Sequence, residues 1–181
     1  MAKVMLKEVR ISFPDLFEPK SFDGQQEAKY GAQFLLEKEG ENYDKVIAAI
    51  KEVASEKWGK LADKTVAALT KQGKTFLNDG DDKDYPGYAD MYYVTAKSKV
   101  KPKVIDRDKT DLDSTDGKPY SGSYVNAAIE IWAQDNSWGK RINCQLRGVQ
   151  FYKDGEPFSG GGIASADEFD AFETEDDDDL F

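Results

Sequence analysis

Three stretches in the second half of the chain alternate apolar and polar residues at period two. Residues 90–104, 124–134 and 141–151 place β-branched or aromatic side chains on every second position, a spacing that a strand turns into one buried face and a helix cannot. The last two stretches are joined by the turn-like Asp135-Asn-Ser-Trp-Gly139 and predict a hairpin. Val125, Ala127, Ile129, Ile131 and Ala133 should line its inner face with Ile142, Cys144 and Leu146. Gly148 marks a bulge, because Val149 and Phe151 continue the apolar pattern with the opposite parity.

Two more strands are expected earlier. Residues 4–13 alternate until Pro14, which is expected to end the strand, and residues 29–36 put Tyr30, Ala32, Phe34 and Leu36 on one face. Residues 42–58 switch to a helical period behind Asn42 as N-cap, with Tyr43, Val46, Ile47, Ile50, Val53 and Ala54 recurring every three to four positions. A second helix is expected over 61–72, with Leu61, Val66 and Leu69 on one side and Gly73 beyond its end. Five or more strands with helices between them suggest a β-rich α+β fold: a mixed, mostly antiparallel sheet or a small barrel.

Net charge is −10, with a sequence pI near 4.6, and its distribution matters more than its size. Nine of the 35 acids, and no Lys or Arg, lie in residues 167–181, so residues 1–166 hold 26 acids against 25 bases. The Ser- and Gly-rich residues 159–166 read as a flexible linker. The expected organisation is a folded domain over 1–158, that linker, and an acidic disordered tail over 167–181, too poor in apolar groups to offset the entropy of folding.

The chain has no histidine, which excludes Ser-His-Asp triads, Cys-His pairs and histidine zinc sites. No phosphate-binding glycine fingerprint is present, and Asp111, Asp113 and Asp116-Gly117 miss the calcium-loop register. A protein without enzymatic activity and without a cofactor is expected. The surviving enzymatic alternative is a divalent-metal nuclease built from Asp79, Asp81, Asp106 and Asp108. The lone Cys144, the charged residues 1–10 and the lack of any apolar run near the roughly 20 residues needed to cross a bilayer point to a cytoplasmic protein with no membrane contact.

Tyr93, Lys97, Lys99, Lys101 and Lys103 share parity and should share one face of a strand, with ammonium groups about 7 Å apart, the scale of successive phosphates. The competing reading is an edge strand guarded by lysines, which Pro102 also suits. On the hairpin, Tyr124, Trp132, Arg141 and Arg147 point outward with several amides, and Tyr88 lies in a loop. Rings for base stacking beside cations for the backbone suit a single-stranded nucleic acid. Glu130 on the same face is unfavourable there. An aspartate run closing on Leu180 and Phe181 suits an apolar pocket rimmed by basic residues, and the same polyanion can compete with nucleic acid for the basic face.

Asp176-Asp-Asp-Asp-Leu-Phe181 is similar to the acidic tails of bacterial and phage single-stranded DNA-binding proteins, with Leu180 where the bacterial pattern has proline. Phe13-Pro-Asp-Leu-Phe-Glu-Pro-Lys20, Lys29-Tyr-Gly-Ala-Gln-Phe-Leu-Leu36, Leu77-Asn-Asp-Gly-Asp81, Tyr120-Ser-Gly-Ser-Tyr124 and Gly148-Val-Gln150 resemble, in order and spacing, a phage single-stranded DNA-binding family. The resemblance implies an OB-fold, a five-stranded Greek-key barrel with inserted helices, and sequence-independent single-stranded DNA binding in phage replication, recombination or repair, in the host cytoplasm. It also implies that Asp176, Asp177, Asp178, Asp179, Leu180 and Phe181 dock replication or recombination proteins. Whether the chain forms a homodimer is left open.

Overall fold

Strand β1 (Ala2–Lys20) is long enough to serve two neighbours. Its first half pairs antiparallel with β6 (Tyr124–Asn136) and its second half with β2 (Lys29–Glu37). The strand changes direction at two irregularities, where Glu8 and Phe13 adopt positive φ and the registers shift. Pro14, expected to end β1, instead lies in the unpaired interval between Ser12 and Asp15, where its missing N–H costs no ladder bond. The computed structural model describes residues 1–21, 27–158 and 170–171. The expected linker and tail, apart from Asp170 and Ala171, lie outside the described residues.

The remaining strands are β3 (Leu77–Asp79), β4 (Met91–Ser98), β5 (Lys103–Ile105) and β7 (Gly139–Lys153). β2 pairs with β4, β6 with β7, and a parallel contact between Lys97 and Gln145 joins β4 to β7. The circuit β1–β2–β4–β7–β6 is therefore a closed five-stranded barrel, with β3 added to β4 and β5 to β7. Closure removes the exposed edges that would otherwise pair with other chains. The fold is the expected OB type with inserted helices.

Leu6, Ile11, Phe34, Leu36, Val94, Ile129, Ile131, Ile142 and Leu146 fill the barrel interior. Helix α1 (Glu41–Trp58) packs on β1 and β6, and its buried Val46, Ala49, Ile50 and Val53 join that interior. Its N-cap is Gly40, not Asn42. Asn42 spends its amide on β1, accepting from the Lys7 N–H at 3.0 Å and donating to the Lys7 carbonyl at 2.9 Å, and so fixes the helix to the strand. In α2 (Ala62–Lys71) Leu69 is buried, but Leu61 is 63% exposed. Leu61 belongs to a short turn before α2, outside its helical periodicity.

The stretch expected as one strand over 90–104 is two. β4 stops at Ser98, the chain bends outward with Val100 exposed, and pairing resumes at Lys103 against β7. The hairpin β6–β7 follows the expected register: Ala128 faces Gly148 and Ile129 faces Leu146, which leaves Arg147 as the extra residue of a bulge. Cys144 is buried in the core, and that burial pushes its thiol pKa up.

Candidate nucleic-acid interface

The outward faces of β4 and β7 meet where Lys97 pairs with Gln145, and a groove of about 1000 Å³ opens over that seam. Its cations are Lys29 from the start of β2, Lys97 and Lys99 from the end of β4, and Arg141 from β7; among the described residues no carboxylate lines it. Strand parity explains the gathering. Lys97 and Thr95 point outward from β4, and Gln145, Asn143 and Arg141 outward from β7, while Val94, Ala96, Cys144 and Ile142 point into the core. Trp132 sits opposite Asn143 across the hairpin and Gln134 opposite Arg141. Asn143 donates to Gln134 at 2.9 Å, which holds both amides in place beside the indole. Trp138, at the hairpin tip, is 88% exposed. Gly31, on the facing position of β2, has no room for more: a Cβ there would lie 3.0 Å from the Ala96 carbonyl oxygen and 3.3 Å from Lys97 Cγ.

Of the residues expected on the binding face, Lys97, Lys99, Trp132 and Arg141 come together in this groove. Lys99 also reaches Glu27 at 3.0 Å. Lys101 and Lys103 do not line it, because the chain leaves the groove after Val100; Lys101 lies near the Phe17 ring and Lys103 is paired with Asp111 at 2.7 Å. Arg147 turns to Glu130, with Nη1 to Oε2 at 2.6 Å, which neutralises the one acid that looked unfavourable on this face. Tyr124 lies at the other end of β6, opposite Lys153 and between the cations of Arg10 and Lys153.

Tyr88 and Tyr93 are corrected more sharply. Both are on the outer face of the sheet, yet Tyr88 is fully buried and Tyr93 is 6% exposed. The segment between β3 and β4 folds back over them: Asp90 N–H donates to Asp81 at 2.7 Å, and Gly80 passes so close that a Cβ would collide with the Tyr88 and Met91 carbonyl oxygens. The Tyr88 hydroxyl bonds to Gln33, and burial pushes its pKa up to about 12. Gln33 is in turn paired with Thr95, a groove residue. The two tyrosines therefore support an outer layer: Tyr85 packs edge-on against Tyr88 at 5.3 Å and Phe13 edge-on against Tyr85 at 5.2 Å, each about half exposed. Sequence reading missed Phe13, Lys29 and Trp138 as candidate site residues. Trp138 carried a usable signal, an indole in a predicted turn with no core beneath it.

Three of the four carboxylates of the nuclease alternative are neutralised by lysines. Asp79 and Asp81 both bind Lys38, at 3.1 and 2.7 Å, and Asp106 binds Lys118 at 2.9 Å. The hydrogen bond from Lys38 keeps the Asp81 carboxyl below its ordinary range, as that from Lys118 does for Asp106. Among the described residues no three His, Cys, Asp or Glu side chains group closely enough to hold a metal.

An OB barrel with a cationic groove and exposed rings along it defines a class, the oligonucleotide-binding type of this fold. The chain belongs to the family described as Enterobacter phage Enc34 ssDNA-binding protein, whose sequence profile matches residues 2–181. Protein p50 of Acyrthosiphon pisum secondary endosymbiont phage 1 is 46% identical over 171 residues, 93% of this chain and 92% of that one. The single-stranded DNA-binding protein from bacteriophage Enc34, solved in complex with ssDNA, superposes with a TM-score of 0.63 at 27% identity, over 86% of this chain and 89% of that chain. Gp2.5, a single-stranded DNA-binding protein of bacteriophage T7, shares the fold with a TM-score of 0.58 at 10% identity, over 91% and 99% of the two chains.

Proposed function

We infer that this protein binds single-stranded DNA without regard to sequence, in phage replication, recombination or repair, and performs no chemistry on it. The observation that carries the reading is the groove between β4 and β7, where Lys29, Lys97, Lys99 and Arg141 flank Trp132 and Trp138 with no carboxylate among the described lining residues. Cations follow the backbone and indoles accept any base, because every base presents a π-face. Phe13 and Tyr85 extend the track, since Tyr88 beneath them contacts Gln33 and Gln33 adjoins Thr95 in the groove. In this reading residues 167–181 compete with DNA for the cations and dock replication or recombination proteins through Asp176–Asp179, Leu180 and Phe181. The supporting fact is the charge division, nine acids in 167–181 against a near-neutral remainder.

Gel shift on labelled oligonucleotides with and without magnesium tests the function. Binding of single strands of unrelated sequence, with the oligonucleotide intact in magnesium, is the expected result. Cleavage, or no binding by the full chain and by a variant lacking 167–181, overturns it.

A further inference from the structure

A second cavity, of about 480 Å³, lies beside α2, within the roughly 300–1000 Å³ usual for small-ligand sites. Leu61, Ala68 and Leu69 supply its apolar surface and Lys64, Lys74 and Lys140 its charge; among the described residues no acid lines it. We propose that this pocket is a second subsite for the same single strand. It takes a nucleotide that leaves the groove between β4 and β7, with phosphate on the lysines and the base on Leu61. The proposal deepens the single-strand reading given above and rests on it.

The two cavities share a wall. Gly73 lines the groove while its neighbours Gln72 and Lys74 line the pocket, and Arg141 lines the groove while Lys140 lines the pocket. The Ile142 N–H donates to the Lys74 carbonyl at 3.1 Å and fixes the two segments side by side. Side chains alternate across a strand, so Arg141 and Lys140 carry their cations to opposite sides of β7. Together they offer charge to a nucleic-acid backbone that turns around the end of the hairpin. The lip between the cavities is open: a Cβ at Gly73, where φ is +69°, would meet no other described residue within 4 Å. Trp138, 88% exposed, stands at the same end.

The lysines are available to phosphate. Lys38, Lys45, Lys103 and Lys118 are each held by a carboxylate, whereas among the described residues Lys64, Lys74 and Lys140 have no carboxylate partner. Asp135, opposite Lys140 across the hairpin, instead accepts the Trp58 indole N–H at 2.8 Å and does not line the pocket. Leu61 is 63% exposed in the turn before α2. Its side chain can cover one face of an unstacked base, a role that apolar side chains take where a base leaves its stack. A protein anchor is the poorer fit. Leu69 is 4% exposed and already packed into the core, which leaves Leu61 and the small Ala68, too little for the desolvated cluster at the centre of a protein interface. Cations that continue those of the groove suit a polyanion that runs on.

Labelled oligonucleotides of about 4 to 16 nucleotides, the span of site sizes for this fold, test the proposal with the full chain by fluorescence anisotropy. Wild-type affinity is expected to rise with length until groove and pocket are both filled. Lys64→Ala/Lys74→Ala/Lys140→Ala changes only exposed side chains. It is expected to bind the longest strands at least five-fold more weakly and the shortest as the wild type does. p-Benzoylphenylalanine in place of Leu61 is expected to cross-link to the longest oligonucleotide. An equal loss at every length means that the lysines act only as distant charge and overturns the proposal, as does unchanged binding of long strands. Cross-links from position 61 to protein alone assign the pocket to a protein partner and overturn it too, and so does the absence of any cross-link. Should the triple variant lose the wild-type urea midpoint, the cross-link decides alone. Wild-type protein that binds no oligonucleotide of any length overturns both readings; binding that the triple variant leaves unchanged overturns this one alone.

Discussion

Arg147 could serve phosphate or Glu130, and its geometry favours the second. Glu130 is 9% exposed with one strong partner, at 2.6 Å. Removing the guanidinium leaves a nearly buried carboxylate unpaired, whereas neutralising Glu130 as well removes the cost of the uncompensated charge. Arg147→Ala is expected to lower stability to urea by about 1–3 kcal/mol, and Glu130→Gln in the same chain to restore most of it. A loss of DNA affinity with unchanged stability would instead place Arg147 on the backbone of the nucleic acid. For the indoles the expectation is reversed. Trp138 is almost wholly exposed and contributes nothing to the core, so Trp138→Ala should leave the urea midpoint unmoved. If each indole stacks on one base, Trp132→Ala and Trp138→Ala should each weaken binding of single-stranded DNA by about 5- to 150-fold, the equivalent of 1–3 kcal/mol per stacked base. Fluorescence titration with oligonucleotides measures both. Tyr88 shows why single residues were the least legible part of the sequence. Its loop position suggested exposure, but the close passage of Gly80 and packing against Leu35, Tyr93, Tyr85 and Phe158, all long-range or loop contacts, bury it.

Strands were legible wherever one residue in two met the core and the next met solvent, and helix α1 wherever every third or fourth did. The hairpin β6–β7, including its bulge at Gly148, follows from apolar parity alone, because a slip of one residue would expose the whole buried set. The lysine run failed for the complementary reason. Parity persists through a bend as easily as through a strand, so Lys97 and Lys103 keep the same spacing in sequence although β4 has ended between them. Asn42 misled because an amide that could cap a helix can equally tie it to a neighbouring strand. The corrected placement makes a distinguishing prediction. Lys29→Ala and Lys97→Ala should each reduce the slope of log affinity against log salt by about 0.7, the value for one phosphate contact on a single strand. Lys101→Ala and Lys103→Ala, outside the groove, should leave that slope unchanged. Equal effects at all four positions would mean that DNA runs along the whole sequence ladder instead of the β4–β7 seam.

For the molecule as a whole, the net charge of −10 opposes the approach of a polyanion, and the cationic groove on the barrel favours it. Both hold if the acids of residues 167–181 are a tethered competitor for the same cations. Competition of this kind has its own ionic-strength signature. Salt weakens the contact of DNA with the groove by competing with counterion release, but it also weakens the contact of the aspartates with their lysines, since the screening length falls from about 10 Å at 0.1 M to about 3 Å at 1 M. In the full chain the second effect partly cancels the first. Log affinity against log salt should therefore fall less steeply for the full chain than for a variant ending at residue 166. The truncated protein should bind tighter at low salt, and the two curves should converge as salt rises. Fluorescence titrations from about 50 mM to 1 M salt check this. Parallel lines would mean that residues 167–181 act only as a constant charge or a partner-docking segment, and a steeper line for the full chain would mean that they assist binding.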